Sequence, residues 1–325
     1  MREFDLLAHV YRSNAALPAA VTIAPGDDMG ALRVGGADVL VTVDQLADGV
    51  HVDLATTALS RVARKAITRN LSDVAAMAAR PVGAVVAVSL PRGFGEDRAT
   101  ELFDAMRRVA AEFDCPLFGG DIAMWDHPLL ASVTVLAEPA GVEPVRRSGA
   151  RAGDAIYVTG LLGGSFETLL DGYAHHLDFT PRVTLARTLA SEPTTRPHCM
   201  IDLSDGLARD LRHLCDAASL DAELVVADLP LSRGAIQAAN RTGRPAWRHA
   251  LGDGEDYELL FTLDQQAGRP GSADVMPTQI DGVPVTRIGT MTQSAVGRPA
   301  VTLRLPDGER VDLASLTDLG WEHHA

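Results

Sequence analysis

The chain has 325 residues, 46% of them hydrophobic and 22% charged, which is enough for two domains with cores and too apolar for a disordered polypeptide. Its formal net charge of −14 argues against a nucleic-acid or anionic-membrane partner. It does not exclude a phosphate-binding enzyme, because divalent cations reverse the charge of an acidic site. Cys115, Cys199 and Cys215 are widely spaced and odd in number, so no disulfide framework or zinc pattern emerges and a reducing compartment is expected. The start, Met1-Arg2-Glu3-Phe4-Asp5, is too charged for a signal peptide, and the run Val82 to Leu90 is too short to span a bilayer. A cytoplasmic location is therefore expected.

In chain order, Phe4, Leu6, Leu7, Val10 and Tyr11 have helical spacing. Pro25-Gly26-Asp27-Asp28-Met29-Gly30 is a turn with two adjacent carboxylates, and the strand pattern from Val39 ends on Asp44, with Gly49-Val50-His51 shortly after. Residues 57 to 80 read as a long helix rich in small residues, carrying Lys65 and then Asn70-Leu71-Ser72-Asp73. Val82 to Leu90 predicts a buried strand. Residues 97 to 113 predict a helix with Leu102, Phe103, Met106, Val109, Ala110 and Phe113 on one stripe. Pro116 to Asp121 reads as a strand ending in an acid, and Leu129 to Leu136 as another strand.

The Pro-, Gly- and charge-rich stretch 139–153, with Arg146-Arg147-Ser148-Gly149, is the expected linker between an N-terminal unit, 1–138, and a C-terminal unit, 154–325. Asp154 to Thr159 predicts a strand running into Gly160-Leu161-Leu162-Gly163-Gly164-Ser165. That turn lacks the Walker lysine and the dinucleotide spacing, so by itself it says little about phosphate. A helix over 182–189 follows. Cys199-Met200-Ile201 then leads into Asp202-Leu203-Ser204-Asp205-Gly206 and a helix to Ala218, with Ser204 the expected N-cap. Glu223 to Val226 predicts a strand and residues 231 to 245 a helix. Gly252-Asp253-Gly254-Glu255-Asp256-Tyr257-Glu258 is an acidic turn into the strand Leu259 to Leu263, and late strands are expected at Thr286 to Met291 and Val301 to Leu305. The fold class read from this order is mixed α and β in two units.

Asp27, Asp28, Asp44, Asp73, Asp121, Asp202, Asp205, Glu255 and Asp256 recur at turns and strand ends. Singly, each reads as a turn acid or a helix cap. Together they would repel one another unless something positive held them, and Mg²⁺ is the simplest candidate because it takes oxygen ligands and bridges carboxylates to phosphates. A glycosidase needs only two carboxylates, and no serine sits in a Gly-x-Ser-x-Gly elbow.

Many spaced motifs carry a resemblance that runs nearly end to end. They are Glu3-Phe4-Asp5-Leu6-Leu7, Gly26-Asp27-Asp28, Thr42-Val43-Asp44 with His51, Asn70 to Met77, Gly119-Gly120-Asp121, Arg147-Ser148-Gly149-Ala150, Tyr157 to Gly160, Asp202 to Leu207, Gly254 to Leu260 and Gly320-Trp321. The chain resembles the thiamine-monophosphate kinases, in the superfamily of aminoimidazole ribonucleotide synthetase. The resemblance implies two α/β domains of that superfamily, the N-terminal sheet pairing with its twin across a homodimer. It implies direct in-line transfer of the ATP γ-phosphoryl to thiamine monophosphate, with several Mg²⁺ ions as cofactors and no phosphoenzyme. On that pattern Asp28, Thr42, Val43, Asp44, Asp73, Asp121, Asp202 and Asp205 hold metal, with Asp121 and Asp205 also counted as catalytic. Gly120, Asp121, Arg147 and Ser204 contact ATP, and His51, Glu255 and Trp321 contact the thiamine side. The chain departs from the pattern at Val43, which can offer a metal only its backbone carbonyl, and at Ile122. The alternatives are another ATP-using enzyme of the superfamily or a non-catalytic nucleotide-binding homologue. Selenophosphate synthetase fits less well, since no cysteine precedes Cys115.

Overall fold

The computed structural model describes residues 17–264, 276–294, 299–317 and 319–320. The helix expected near the start and Trp321 lie outside them. The first half contains β1 (Val21–Ile23), β2 (Gly30–Val34), β3 (Ala37–Ala47), α1 (Leu59–Ala76), β4 (Ala79–Pro91), α2 (Glu96–Glu112), β5 (Leu117–Trp125) and β6 (Leu130–Pro139). Its sheet has the order β1-β2-β3-β6-β4-β5, with β4 and β5 parallel and the other neighbours antiparallel. Helices α1 and α2 pack together, and α1 lies against β3, β4 and β6.

A short helical turn, Arg147–Gly149, precedes the second half. There follow β7 (Ala155–Thr159), α3 (His175–Asp178), α4 (Val183–Ser191), β8 (Cys199–Asp202), α5 (Leu207–Ala218), β9 (Leu220–Val225), α6 (Arg233–Thr242), α7 (Ala246–Gly252), β10 (Leu259–Leu263), β11 (Gln279–Ile280), β12 (Val283–Gln293), β13 (Val301–Arg304) and β14 (Arg310–Asp312). The second sheet runs β14-β13-β9-β12-β7-β10-β8, and β11 pairs with β12. Its two faces enter two different cores. Tyr157, Met200, Leu259 and Phe261 join the core that continues through α4 and α1 to the first sheet. Ile156, Val158, Ile201 and Leu260 join a second core beneath α5. Side chains alternate along a strand, so Asp202 shares the face of Met200 and points towards α1.

The two sheets differ in cover. The second is packed on both faces, whereas the first turns only one face to its helices. Along β3, Leu40, Thr42 and Leu46 are buried on the helix side while Val43 is exposed on the other. Edge strand β5 leaves Phe118 63%, Ile122 59% and Met124 49% exposed. Two expectations change here. Asp44 and Asp121 do not end their strands, since β3 runs on to Ala47 and β5 to Trp125. A polar residue is tolerated within each strand because its position is open on at least one side.

Candidate active site

Helix α1 forms the floor of the site. Lys65, Arg69, Ser72 and Asp73 fall at spacings of four, seven and eight residues, hence on one helical face. The helix packs between β3 and β8, so this face meets an acid from each sheet. Thr42 Oγ1 donates to Asp73 Oδ2, and Ser72 Oγ donates to Asp202 Oδ2 at 2.7 Å. Asn70 Oδ1 accepts from the Asp44 N–H at 3.0 Å, fixing β3 to the helix. Arg69 Nε lies 3.8 Å from Asp44 Oδ2.

From β1–β2, the Asp27-Asp28 turn reaches the same place. Asp27 Oδ1 accepts from the Arg147 N–H at 2.8 Å, and the Arg147 guanidinium pairs with the buried Asp28 side chain. Asp28, Asp73 and Asp202 each bring a carboxylate oxygen within 4.8 Å of the others. Burial first, then the charges of Asp44, Asp202 and Asp28, hold the Asp73 carboxyl well above the usual range. Burial and Asp28 push Asp202 to about 7, despite the Ser72 hydroxyl and Arg147. Burial also raises Asp27. The protein's own groups thus leave this cluster short of positive charge. A donor set made wholly of hard oxygens is the kind divalent cations take, so the residues fit a metal centre.

The turn after β8 differs from expectation. Ser204 is not the N-cap of α5: the helix starts after Gly206, whose φ is 105°. Asp210, from the first turn, folds back to accept from Asp205 N at 3.2 Å and Gly206 N at 3.0 Å. Glycine's freedom at positive φ lets the chain turn two residues later than the serine suggested. Ser204 instead anchors the neighbouring turn, its carbonyl accepting from the Glu255 N–H at 2.7 Å. Asp205 joins Asp210 and His213 in a second set of closely spaced ligand atoms.

Asp44, Asp73, Asp202, Ser204 and Asp205 open onto a cavity of about 250 Å³, together with His51 and Glu255. His51 is held by its Nδ1, which accepts from the Ala47 N–H at 3.0 Å. Glu255 sits in a turn with φ of +54°, and Lys65 Nζ donates to its carboxylate. Burial alone would push Glu255 up, but His176 and Lys65 hold it below its ordinary value. Phe166 and Val50 line the same cavity as exposed apolar groups.

Four expected residues stand elsewhere. Asp256 faces away from the acidic cluster and accepts from Gly163 N and Ser165 Oγ, both at 2.8 Å. The backbone alternates through the turn, so Glu255 and Tyr257 line one cavity while Asp256 and Glu258 line another. Gly120 and Asp121 lie on β5, separated from β3 by β6 and β4. Three strand spacings place Asp121 roughly 14 Å from the Asp44 strand. Gly120 also has a packing reason to be glycine, because a Cβ there would stand 2.0 Å from the Val86 carbonyl oxygen. Val43 turns its side chain to the opposite face from Thr42.

Sequence reasoning missed Arg69, Asp210, Phe166 and His176. For Arg69 a signal existed in its helical spacing from Lys65 and Asp73. The others become neighbours of the site only through the tertiary fold.

Against known proteins, the family profile described as AIR synthase related protein, N-terminal domain, matches residues 26–138. The thiamine-monophosphate kinase of Rhodopirellula baltica is 35% identical over 93% of this chain and 92% of its own length. The Escherichia coli thiamine-monophosphate kinase is 33% identical over 99% of this chain and 98% of its own. The chain belongs to the thiamine-monophosphate kinase family. Among solved structures, AaThiL complexed with AMPPCP and TMP superposes with a TM-score of 0.79 at 26% identity, covering 99% of this chain and 97% of that one. The two-sheet architecture is therefore that of the thiamine-monophosphate kinases. Among the described residues, no helix is long and apolar enough to cross a membrane.

Proposed function

We propose that this chain transfers the γ-phosphoryl group of ATP to thiamine monophosphate, giving thiamine diphosphate and ADP. The observation that carries the reading is the close meeting of Asp28, Asp73 and Asp202 beside a cavity, in a chain so similar to thiamine-monophosphate kinases. Asp28, Thr42, Asp44, Asp73, Asp121, Asp202 and Asp205 would hold Mg²⁺ ions, with the backbone carbonyl of Val43. Bound there, the ions would neutralise phosphate charge, which is most of what phosphoryl transfer asks of a protein.

The side chains set positions. Thr42 and Ser72 each spend a hydroxyl proton on one aspartate, fixing the direction of its remaining lone pairs. Arg147, held by Asp28, and Ser204 would contact the nucleotide. His51 and Glu255 would bind the thiamine side, with Trp321 from beyond the described residues. No side chain is assigned as a base, because the acceptor oxygen belongs to a phosphate already ionised at neutral pH, and direct in-line attack needs no phosphoenzyme.

The same reading gives a homodimer. The apolar outer face of the first sheet and the exposed edge of β5 would pair with a second copy, and Gly120 and Asp121 would then complete the partner's site. Residues 1–138 and 154–325 would be two domains, since the strands of one sheet end at Pro139 and those of the other begin at Ala155. A cytoplasmic setting suits the free, buried cysteines. Phosphorus NMR of the purified protein with ATP, Mg²⁺ and thiamine monophosphate tests the activity: thiamine diphosphate and ADP should form in equal amounts. ADP formed without need of thiamine monophosphate, or no turnover, would reject it.

A further inference from the structure

Lys65 is 0% exposed, on the packed side of a helix where it is the one charged residue that is fully buried. Its Nζ donates to the His51 backbone carbonyl at 2.7 Å, contacts His176 Nδ1 at 3.1 Å, and donates to the Glu255 carboxylate. An ammonium has three N–H donors and no acceptor; the His51 carbonyl and the Glu255 carboxylate take two of them, and the third meets His176 in the tautomer whose Nδ1 accepts. Burying such a group is costly, and an apolar residue of the same volume commonly stabilises a fold as well or better. The reason for a lysine here therefore lies in what it holds.

His51 belongs to the loop after β3, on α1's own side of the molecule. Glu255 comes from the turn before β10, and His176 from α3. His51 and Glu255 face the same cavity. The Glu255 turn is strained, with φ of +54° at Glu255 and +48° at Tyr257, and such a conformation persists only where its surroundings impose it. The His176 ring lies 4.9 Å from that of Phe166, at the apolar side of the cavity. One buried cation thus ties together groups from both halves that border the substrate side.

We propose that Lys65 is a positioning residue for thiamine monophosphate, fixing the Glu255 carboxylate and the His51 loop as one rigid ledge without touching the substrate. This rests on the reading of His51 and Glu255 as the thiamine side. The test is steady-state kinetics of Lys65→Met, Glu255→Gln and the double variant, with the KM for each substrate measured separately. Each single variant should raise the KM for thiamine monophosphate about tenfold and leave that for ATP within about twofold. The double variant should raise it further than Glu255→Gln alone, because Lys65 also holds the His51 loop, but by less than the product of the two single effects, because the two residues share a contact.

If Glu255→Gln leaves the KM for thiamine monophosphate unchanged, the substrate-side reading fails and the proposal with it. If Glu255→Gln raises it but Lys65→Met does not, or if the two single effects simply multiply in the double, positioning by Lys65 is wrong while the substrate side stands. Lys65→Met alone leaves a buried carboxylate uncompensated and can fail to fold. The double removes both charges, so it then carries the test: a rise in the KM for thiamine monophosphate beyond that of Glu255→Gln, with that for ATP unchanged, supports the proposal, and equality with Glu255→Gln overturns it.

Discussion

The turn from Gly254 to Glu258 separates two acidic neighbourhoods that the fold treats differently. On one side Glu258 pairs with Arg182 and accepts from Thr159 Oγ1 at 2.6 Å, while Asp256 takes the N–H of Gly163 and the hydroxyl of Ser165. Glu258 is spent on Arg182 and β7, and Asp256 holds the glycine-rich turn through Oδ1, its Oδ2 being buried without a hydrogen-bond partner. On the other side Asp73 and Asp202 have one hydroxyl each, and Arg147 is engaged by Asp28. Three carboxylates crowd together there with too little protein charge to balance them. Acids thus serve structure where the chain supplies partners, and invite cations from outside where it does not.

The largest effect expected is at the open side. Asp205→Asn should lower kcat roughly a hundredfold or more while the thermal midpoint stays near wild type, because it removes a charge lining the cavity, where Mg²⁺ is proposed to bind, and not packing. Near-normal turnover would break the contrast between the two neighbourhoods. Next comes Phe118→Asp on the exposed edge strand. It should give a monomer by analytical ultracentrifugation and reduce kcat/KM by about tenfold or more, because in the proposed dimer Asp121 would no longer reach the partner's site. A fully active monomer would place the whole site within one chain. A smaller effect is expected for His51→Ala, which should raise the KM for thiamine monophosphate about fivefold and that for ATP hardly at all. The reverse split would move His51 to the nucleotide side.

The structural side gives the smallest effect, seen in stability alone. Burial first, with the Asp253 and Glu258 charges adding, pushes Asp256 from 3.8 to about 8 against the hydrogen bonds from Gly163 and Ser165. The folded protein therefore keeps a proton that the unfolded chain releases near the ordinary value. This group's contribution to stability is complete at acid pH and is lost as pH rises towards about 8. Asp256→Asn cannot titrate, so its thermal midpoint should fall less over that interval than that of wild type. Parallel curves would show that Asp256 is charged in the fold.

Much of this was legible in the sequence where an apolar run borders an acid. The strands at Leu259–Leu263 and Val301–Arg304 and the helices at Glu96–Glu112 and Leu207–Ala218 follow from hydrophobic pattern. Strand β2 was not legible, because Leu32 and Val34 are exposed and its alternation does not separate two faces. The short helix α7 follows Pro245 with too few turns to show a period. Among site residues, the carboxylates were found because acids at turns stand out. The burial of Lys65 is hidden in the sequence, since a lysine in a helix ordinarily marks its solvent face. The separation of Asp121 from Asp44 depends on strand order, and the reach of Asp210 back to Gly206 on a turn that glycine alone permits. Neither is written in local pattern.

The central claim is that Asp28, Asp73 and Asp202 are left unbalanced by the protein and completed by cations. It is met most directly by the thermal midpoint of wild type and Asp73→Asn as Mg²⁺ is titrated without nucleotide. The account predicts that Mg²⁺ raises the wild-type midpoint in a saturable way and that Asp73→Asn loses most of the rise. A wild-type midpoint indifferent to Mg²⁺, or an equal rise in Asp73→Asn, would contradict it.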